Sequence, residues 1–395
     1  MTNSDDKPER ALKPATRLVH SGRDKSITGP FVNPPVVHAS TVLFDTVDDM
    51  LHLRQRYVYG RRGTPTSEAL ESAIAELCGA DGVVLCPSGL SAAATALLAT
   101  VSAGDRILIV DCVYGPVRRF ADSVLKRLGV ETVYFDPALG ADIEALFNDR
   151  TSVVYLEAPG SVTFEMQDVP AITEIAHRHG ALVLCDNTWA TPLFFRDLDH
   201  GVDLSIMADT KYISGHSDVM LGTVAARGDV AKRVRDTHGN LGTHVGPDDI
   251  YLGLRGLRTL AVRLERHQQS ALTVAKWLEA RPEISRVLYP ALESDPGHAL
   301  WKRDMTGATG LFAVIFDGWT EAKAANFIEG LSLFGIGASW GGFESLAVLS
   351  HPIFMRSAVP WEAEGPLMRL HVGLEDPGDL IADLEAGFAR VAAEG

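Results

Sequence analysis

The feature that most constrains the fold is an alternation, from about residue 65 to residue 184, between short apolar runs and longer amphipathic or alanine-rich runs. The apolar runs have the length of buried strands, and the runs between them have the residue spacing of helices that cover a sheet. Because strands separated by helices pair in parallel, we predict an α/β fold with a mostly parallel sheet covered on both faces. The expected strands are 83–86, 106–110, 132–135, 152–156 and 181–184, and the expected helices are 67–77, 91–100, 117–128 and 170–179.

The rest of the chain divides into an arm and a smaller module. The first sixty residues are rich in turn formers, such as Asn33-Pro-Pro35, and are expected to form an extended arm. A long amphipathic helix is expected over 254–278, followed by strands at 311–316 and 368–372 and a helix at 321–328. We therefore predict three parts: an N-terminal arm over 1–62, a large domain over 63–256 and a C-terminal domain over 257–395.

Composition and charge argue against several classes of partner. The 395 residues are 46% hydrophobic, and 51 acidic residues against 36 basic ones give a net charge of −15. Such a charge repels phosphate backbones and anionic lipid, so we expect no nucleic-acid and no membrane partner. The segment 1–10 lacks the apolar core of a signal peptide, so we expect a cytoplasmic protein. The chain has four cysteines, Cys78, Cys86, Cys112 and Cys185, which show neither a C-x-x-C pair nor zinc-like spacing. We therefore expect buried thiols and no metal site.

Asp186 and Lys211 form a pair that points to a cofactor. Asp186 ends the last of these apolar runs, and Lys211 follows 25 residues later between Thr210 and Tyr212. Enzymes that use pyridoxal 5'-phosphate (PLP) need such a pair, since a lysine amine bonds to the aldehyde of PLP and a carboxylate keeps the pyridine nitrogen protonated. Asp186 and Glu157 both follow expected strands, where ligands of parallel sheets bind. Taken alone, Lys211 is more typical of a solvated surface lysine, and Asp186 of an acid that caps a turn or a helix.

Seven short motifs occur in an order that one enzyme family carries. From about Leu18 to the C-terminus, the chain resembles the Cys/Met-metabolism PLP-dependent enzymes, which include cystathionine synthases, cystathionine lyases and methionine gamma-lyase. Within that family the likeness is strongest to the bacterial cystathionine beta-lyases. The motifs are Tyr59-Gly-Arg-Arg-Gly-Thr64, Glu157-Ala-Pro-Gly-Ser161, Asp186-Asn-Thr-Trp-Ala190, Thr210-Lys-Tyr212, Gly215-His-Ser-Asp218, Ser339-Trp-Gly-Gly342 and Arg369-Leu-His-Val-Gly-Leu-Glu-Asp376.

The resemblance implies a fold and an assembly. The fold is the one shared with aspartate aminotransferase, PLP fold type I, with a mostly parallel seven-stranded sheet, a smaller C-terminal α/β domain and an N-terminal arm. The assembly is a homotetramer built from dimers that share active sites. Tyr59 and Arg61 are then expected to bind the PLP of a neighbouring chain.

The expected phosphate site lies at Ser88-Gly89-Leu90, between a strand and an alanine-rich helix. Amides at the start of a helix and the helix dipole attract an anion, although Ser-Gly alone is more typical of a plain helix cap. The resemblance places Gly89, Leu90 and Thr210 around the phosphate. Ala208 is the fourth expected cofactor-binding position here, but many relatives carry a hydroxyl there, so we expect one phosphate contact to be missing.

The resemblance also implies roles for Tyr114 and Arg369. Tyr114 resembles the tyrosine that stacks on the pyridine ring and takes a proton from the incoming amine, whereas the residue alone is equally typical of an aromatic lid on a core. Arg369 lies in an apolar run and needs an anionic partner. The resemblance makes that partner the α-carboxylate of the substrate, and a structural aspartate is the alternative. The expected catalytic residues are thus Lys211, Tyr114 and Asp186.

Three positions indicate the branch of the family. Methionine gamma-lyases carry a cysteine where this chain has Pro116, and gamma-specific relatives tend to carry an asparagine near the position of Ser161. Those relatives generally read Ser-Leu-Gly-Gly where this chain has Ser339 and Trp340, which are expected to bind substrate together with Arg369. The indole of Trp340 would fill space that a gamma-enzyme needs, or it simply packs. The resemblance therefore implies β-elimination of L-cystathionine to homocysteine, pyruvate and ammonia, on the way to methionine.

Other functions remain open at this point. A gamma-lyase or gamma-synthase of the same family is the nearest alternative, and a non-catalytic PLP-binding regulator is the alternative from a different class. A nicotinamide-dependent oxidoreductase needs G-x-G-x-x-G after a strand, and the run Gly335-Ile-Gly-Ala-Ser-Trp340 fails at its last position.

Overall fold

The computed structural model describes residues 12–352, 356–363 and 365–394. The polar start of the chain at 1–10, from which we expect the absence of a signal peptide, lies outside the described residues.

Seven strands of the described residues pair into one large sheet: β1 (Gly82–Cys86), β2 (Arg106–Val110), β3 (Glu131–Phe135), β4 (Thr151–Glu157), β5 (Leu182–Asp186), β6 (Leu204–Met207) and β7 (Gly222–Ala226). Their order across the sheet is β1-β7-β6-β5-β4-β2-β3. Neighbours from β6 through β3 run parallel, whereas β7 pairs antiparallel with both β1 and β6. The predicted mostly parallel, seven-stranded sheet is confirmed.

A second, smaller sheet follows along the chain: β8 (Ile284–Leu288), β9 (Leu311–Phe316), β10 (Gly335–Ile336), β11 (Leu346–Ser350) and β12 (Leu367–His371). Its order is β10-β11-β12-β9-β8, and within it only β10 and β11 run parallel. The large sheet thus ends at Ala226 and the small one begins at Ile284, while the domain boundaries near residues 62 and 256 stay predictions.

Helices pack against both sheets. The helix Gly89–Thr100 follows β1 and packs against β6 and β7 of the large sheet. The helix Val169–Arg178 precedes β5 and packs against it. The expected helix at 117–128 instead begins as a short helix and continues through a π-helical turn at Ala121–Leu125. The helices are α1 (Pro14–His20), α2 (Lys25–Thr28), α3 (Val47–His52), α4 (Pro65–Cys78), α5 (Gly89–Thr100), α6 (Gly115–Phe120), α7 (Val169–Arg178), α8 (Thr191–Phe194), α9 (Gly228–Asn240), α10 (Pro247–Leu257), α11 (Leu260–Glu279), α12 (His298–Asp304), α13 (Glu321–Glu329) and α14 (Pro377–Glu394).

The single long helix predicted over 254–278 is wrong, because α10 ends at Leu257 and α11 begins at Leu260. At the break, the carbonyl of Gly256 accepts hydrogen bonds from the Thr259 hydroxyl at 3.1 Å and from Arg263 at 2.8 Å. This carbonyl also accepts the Thr259 N–H at 3.0 Å, three residues on, whereas a continuous α-helix would pair it with the N–H four residues on. The apolar face continues on both sides of the break, so hydrophobic periodicity alone does not reveal it.

Burial agrees with the expectation for the cysteines. All four are buried and unpaired. Burial raises the pKa of the Cys86 thiol to about 12, which keeps that group protonated and unreactive. No described helix combines the length and the apolar character needed to cross a lipid bilayer.

We expect the packing around β5 to dominate stability. Leu184 in that strand is fully buried, whereas Leu128 is 46% exposed. Leu184→Ala should lower the free energy of unfolding by about 2–5 kcal/mol, since it leaves a cavity among close-packed neighbours. The matched control Leu128→Ala should change it by less than about 1 kcal/mol. Denaturant unfolding at equal protein concentration measures both, and equal losses would contradict the packing argument.

Candidate functional site

A cavity of about 380 Å³ lies between the two sheets, at the carboxyl ends of β4, β5 and β6. Parallel strands end at one edge, so residues far apart in sequence meet there. The N-terminus of α5 and the loop at 338–340 close other sides of the cavity. The structure brings together ten of the predicted site residues: Gly89, Leu90, Tyr114, Asp186, Ala208, Thr210, Lys211, Ser339, Trp340 and Arg369.

Lys211 projects its amine into this cavity. Its Nζ donates a hydrogen bond of 2.7 Å to Ser339 Oγ and lies 5.3 Å from the centre of the Trp340 ring. Burial, and next the positive charge of Arg369, lower the pKa of Lys211 to about 8, while the charge of Asp186 opposes that shift. A considerable fraction of the amine is therefore neutral near pH 8, and a neutral amine can act as a nucleophile or a base.

Asp186 lies beside a second carboxyl group in the sheet. It is the register partner of Glu157, because β4 and β5 end side by side. The Asp186 Oδ1 atom accepts hydrogen bonds from the backbone N–H of Thr188, at 3.0 Å, and from its hydroxyl. Burial raises the pKa of Asp186, and Lys211 and Thr188 oppose that rise. Burial and the charge of Asp186 raise the pKa of Glu157 well above its usual range, so the neutral member of the pair is Glu157.

Thr188 and Glu157 have site contacts that sequence reasoning did not assign. The Thr188 hydroxyl donates to Asp186 and accepts the Ala208 N–H at 2.9 Å, which joins the ends of β5 and β6. Glu157 Oε2 accepts the backbone N–H of Tyr114 at 2.6 Å and so holds the start of α6. The available signal was their position at or just after a strand end, which does not reveal a partner 43 residues away.

Tyr114 lies at the start of α6 with its side chain 45% exposed at the cavity. Burial, and beside it the charge of Asp186, raise the pKa of its phenol. The neutral phenol is therefore favoured, which agrees better with ring stacking than with removal of a proton. Both roles stay predictions.

The N-terminus of α5, which lines the cavity, suits an anion. Ser88 caps α5, and its hydroxyl accepts the Ser91 N–H at 3.1 Å. Among the described residues, the backbone N–H groups of Gly89 and Leu90 have no hydrogen-bond partner. A Cβ on Gly89 would lie 2.4 Å from the Cβ of Ala208, so this close approach of α5 to the end of β6 requires glycine.

Thr210 lines the cavity, but its hydroxyl is already bonded. It donates to the Leu221 carbonyl at 3.1 Å and accepts the Leu221 N–H at 2.9 Å. A contact between this hydroxyl and a phosphate would require the donor to leave Leu221. The predicted phosphate role of Thr210 therefore depends on a change of hydrogen-bond partner.

Arg369 reaches the cavity from β12 of the small sheet. Its Nη2 donates to the carbonyls of Ala338, at 3.0 Å, and Ser339, at 3.2 Å. Within the described part of the chain it forms no ion pair with a carboxylate, so the structural aspartate considered above is not found there. Burial lowers the pKa of the guanidinium, and an incoming carboxylate would offset that cost of desolvation.

Tyr59 and Arg61 do not line this cavity. Tyr59 is 45% exposed, and Arg61 Nη1 donates to the Gly239 carbonyl at 2.7 Å beside a separate cavity of about 200 Å³. Their expected place in the site of a neighbouring chain stays a prediction. Among the three positions that indicated the branch, Ser161 and Trp340 line the Lys211 cavity and Pro116 does not.

The residues present fit PLP. A lysine amine of lowered pKa can bond to its aldehyde, and Asp186 has an Oδ2 atom without a hydrogen-bond partner among the described residues to pair with the pyridine nitrogen. Two free amides at the start of α5 can receive its phosphate. Arg369 remains for a substrate carboxylate.

Comparisons with known proteins agree with this fit. A family model described as Cys/Met metabolism PLP-dependent enzyme matches residues 15–389. A Rhizobium johnstonii protein, provisionally named cystathionine beta-lyase, is 54% identical over 382 residues, 96% of each chain. Cystathionine beta-lyase MetC of Escherichia coli K12 is 43% identical over 387 residues, 95% of this chain and 98% of that protein. The solved cystathionine gamma synthase of Xanthomonas oryzae pv. oryzae is 33% identical with a TM-score of 0.89, covering 97% and 99% of the two chains.

The amine of Lys211 should titrate near pH 8 in the PLP-free protein, whereas a lysine in water titrates near ~10.4. Asp186→Asn removes a negative charge and should lower this midpoint, and Arg369→Leu removes a positive charge and should raise it. Competitive acetylation at a series of pH values, read by mass spectrometry, measures the midpoint.

Lys232 is the internal control for this labelling experiment. It is exposed, and its hydrogen bond to Asp236 raises its pKa. It should react only at higher pH and respond to neither substitution. A Lys211 midpoint equal to that of Lys232 would contradict the desolvated site.

Proposed function

We propose that this chain, which belongs to the family of Cys/Met-metabolism PLP-dependent enzymes, is a carbon–sulfur lyase that cleaves L-cystathionine by β-elimination. With one water, the reaction gives homocysteine, pyruvate and ammonia. The observation that carries the proposal is the position of Lys211 Nζ, half-buried with its pKa lowered to about 8, in one cavity with Asp186 and Arg369.

PLP, when bound, supplies an electrophilic aldehyde and a ring that accepts electrons. The chain supplies the binding and the proton transfers. Arg369 has guanidinium N–H groups left over after its two carbonyl contacts, and a carboxylate can accept a bidentate pair from them. This clamp presents the α carbon of an amino acid to Lys211 Nζ.

Lys211 Nζ removes the α proton in its neutral form and, once charged, delivers a proton to the departing sulfur. Ser339 Oγ, at 2.7 Å, holds this amine in the cavity. The pKa of Glu157 is raised well above its usual range, so the pair holds its proton on Glu157 first, and Oδ2 of an ionised Asp186 can hold a proton on a pyridine nitrogen. The half-buried setting strengthens each of these charge interactions.

The names of the relatives support the β branch. Two relatives at 54% and 43% identity over nearly the whole chain are named cystathionine beta-lyases. Trp340, 5.3 Å from Lys211 Nζ, occupies space beside the reacting amine, which agrees with a compact leaving-group pocket. A gamma-lyase or gamma-synthase remains the alternative within the family, and the regulator remains the alternative outside it.

The same function suggests an assembly and a place in the cell. We propose a homotetramer of dimers in which Tyr59 and Arg61 complete the site of a neighbouring chain, since neither reaches its own cavity. Several apolar side chains of the arm are exposed in the single chain, among them Phe31 at 73% and Leu43 at 86%, and a second copy would cover them. We place the enzyme in the cytoplasm and in methionine biosynthesis.

Identification of the keto acid tests the reaction. Given L-cystathionine, the PLP-loaded protein should release pyruvate, because the base, the electron acceptor and the clamp act on the three-carbon half. Cleavage of the other carbon–sulfur bond, in the four-carbon half of L-cystathionine, would release 2-oxobutyrate. Chromatography of the products distinguishes the two, with Lys211→Ala as the inactive control. Predominant 2-oxobutyrate would move the chain to the gamma branch, and no turnover by a PLP-loaded protein would favour the regulator.

Mixed oligomers test the shared site. Arg61→Ala and Lys211→Ala proteins should each be nearly inactive, because one lacks a cofactor contact and the other lacks the base. Co-expressed in equal amounts, they should recover activity at about a quarter of all sites, since half of the random dimers hold one intact site. Affinity tags on each variant verify that hybrids form. Inactive hybrids would show that Arg61 serves its own chain.

A further inference from the structure

The loop Ala338–Gly342 forms one wall of the Lys211 cavity and carries the predicted substrate residues Ser339 and Trp340. On the cavity side, Lys211 Nζ donates a hydrogen bond to Ser339 Oγ of this loop. This contact must change when the amine takes part in chemistry. The loop therefore needs other attachments to stay in place.

β12 provides two such attachments from one face. Arg369 and His371 are two residues apart in this strand, so their side chains project to the same side. Arg369 donates to the carbonyls at the start of the loop, as described above. His371 Nε2 accepts the Gly341 N–H at 3.1 Å and also lies 3.1 Å from the Gly342 carbonyl.

The His371 ring is buried and uncharged. The side chain is 1% exposed, and burial, followed by the charge of nearby His267, lowers its pKa to about 3. The ring is therefore neutral at working pH. Nδ1 has no hydrogen-bond partner among the described residues, so the ring contacts the loop only through Nε2, and Nε2 accepts the Gly341 N–H in the tautomer that carries its proton on Nδ1.

The contacts of Gly341 leave little freedom for the loop. Its φ is +85°, a region that favours glycine, and a Cβ there would lie 2.9 Å from the backbone of Lys211. The neighbouring Trp340 ring lies 5.5 Å from the ring of Tyr212, which in turn lies 5.9 Å from His371. The buried rings of Tyr212, His267 and His371 thus support the loop from behind.

We propose that His371 is a positioning residue that holds the Gly341 backbone and thereby sets Trp340 and Ser339 against Lys211. The group it positions is the wall that receives the thioether side chain of the substrate, so this part rests on the proposed function. Loss of the bond leaves a buried N–H unpaired and lets the indole leave its place. The effect appears in substrate binding more than in the proton transfer at Lys211.

The test compares His371→Leu, which removes the ring nitrogen, with His371→Gln, whose amide keeps a donor and an acceptor. Wild type and each variant are made both with Trp340 and with Trp340→Phe. The emission of each protein minus that of its Trp340→Phe counterpart is the fluorescence of Trp340. Acrylamide quenching of this difference signal should rise in His371→Leu and stay near wild type in His371→Gln. This readout uses the PLP-free protein and is independent of catalysis.

Kinetics supply the second readout. For L-cystathionine, KM should rise about tenfold in His371→Leu while kcat changes less than about threefold, and His371→Gln should restore most of the loss. A merely structural role would lower the active fraction, and so kcat, without changing KM. If no variant turns over L-cystathionine, the proposed function fails while the quenching result still decides the role of His371.

Hydrogen exchange of the wild-type protein covers the case in which His371→Leu does not fold. In a peptide spanning 338–343, the Gly341 amide should be protected. Rapid exchange of that amide would overturn the proposal. So would unchanged Trp340 quenching in a folded His371→Leu protein, or a His371→Gln protein that behaves like His371→Leu.

Discussion

Parallel pairing of β4 with β5, and of β5 with β6, brings the chemistry of this protein to one place. Glu157 and Asp186 end neighbouring strands, and the chain leaves β6 at Ala208, three residues before Lys211. The Thr188 hydroxyl links two of these ends, through Asp186 and the Ala208 N–H. Changing the register of either pair by one residue would turn an acid away from the cavity, so the site depends on strand pairing before it depends on any single charge.

Electrostatics at this edge follow from burial. Lys211 lies between a carboxylate and a guanidinium, whose effects on its pKa have opposite signs, and desolvation is the larger cause. Burial raises the pKa of both acids, and the charge of Asp186 raises that of Glu157 further, so the pair holds its proton on Glu157 first.

The small sheet and the loop after β10 contribute one side of the cavity. Arg369 and His371 reach the loop at 338–342 from one face of β12, and that loop carries Trp340 beside the amine. In the function we propose, the large sheet supplies the groups for the cofactor and the base, while the small sheet supplies the groups for the substrate. A change in how the two sheets pack would alter substrate binding first.

The sequence by itself determined the strand and helix alternation, the family, and ten of the residues that line the cavity, because these depend on local periodicity and on short motifs. The expected strands lie within two residues of β1 to β5, β9 and β12. The sequence did not reveal β6 and β7 as paired strands, the break between α10 and α11, or the hydrogen bonds of Glu157, Thr188 and His371. Only the tertiary structure decided these, since each depends on a partner distant in sequence: Glu157 meets the Tyr114 amide across 43 positions and His371 meets that of Gly341 across 30. Hydrogen bonding and desolvation are properties of the packed neighbourhood, and no local pattern of residues encodes them.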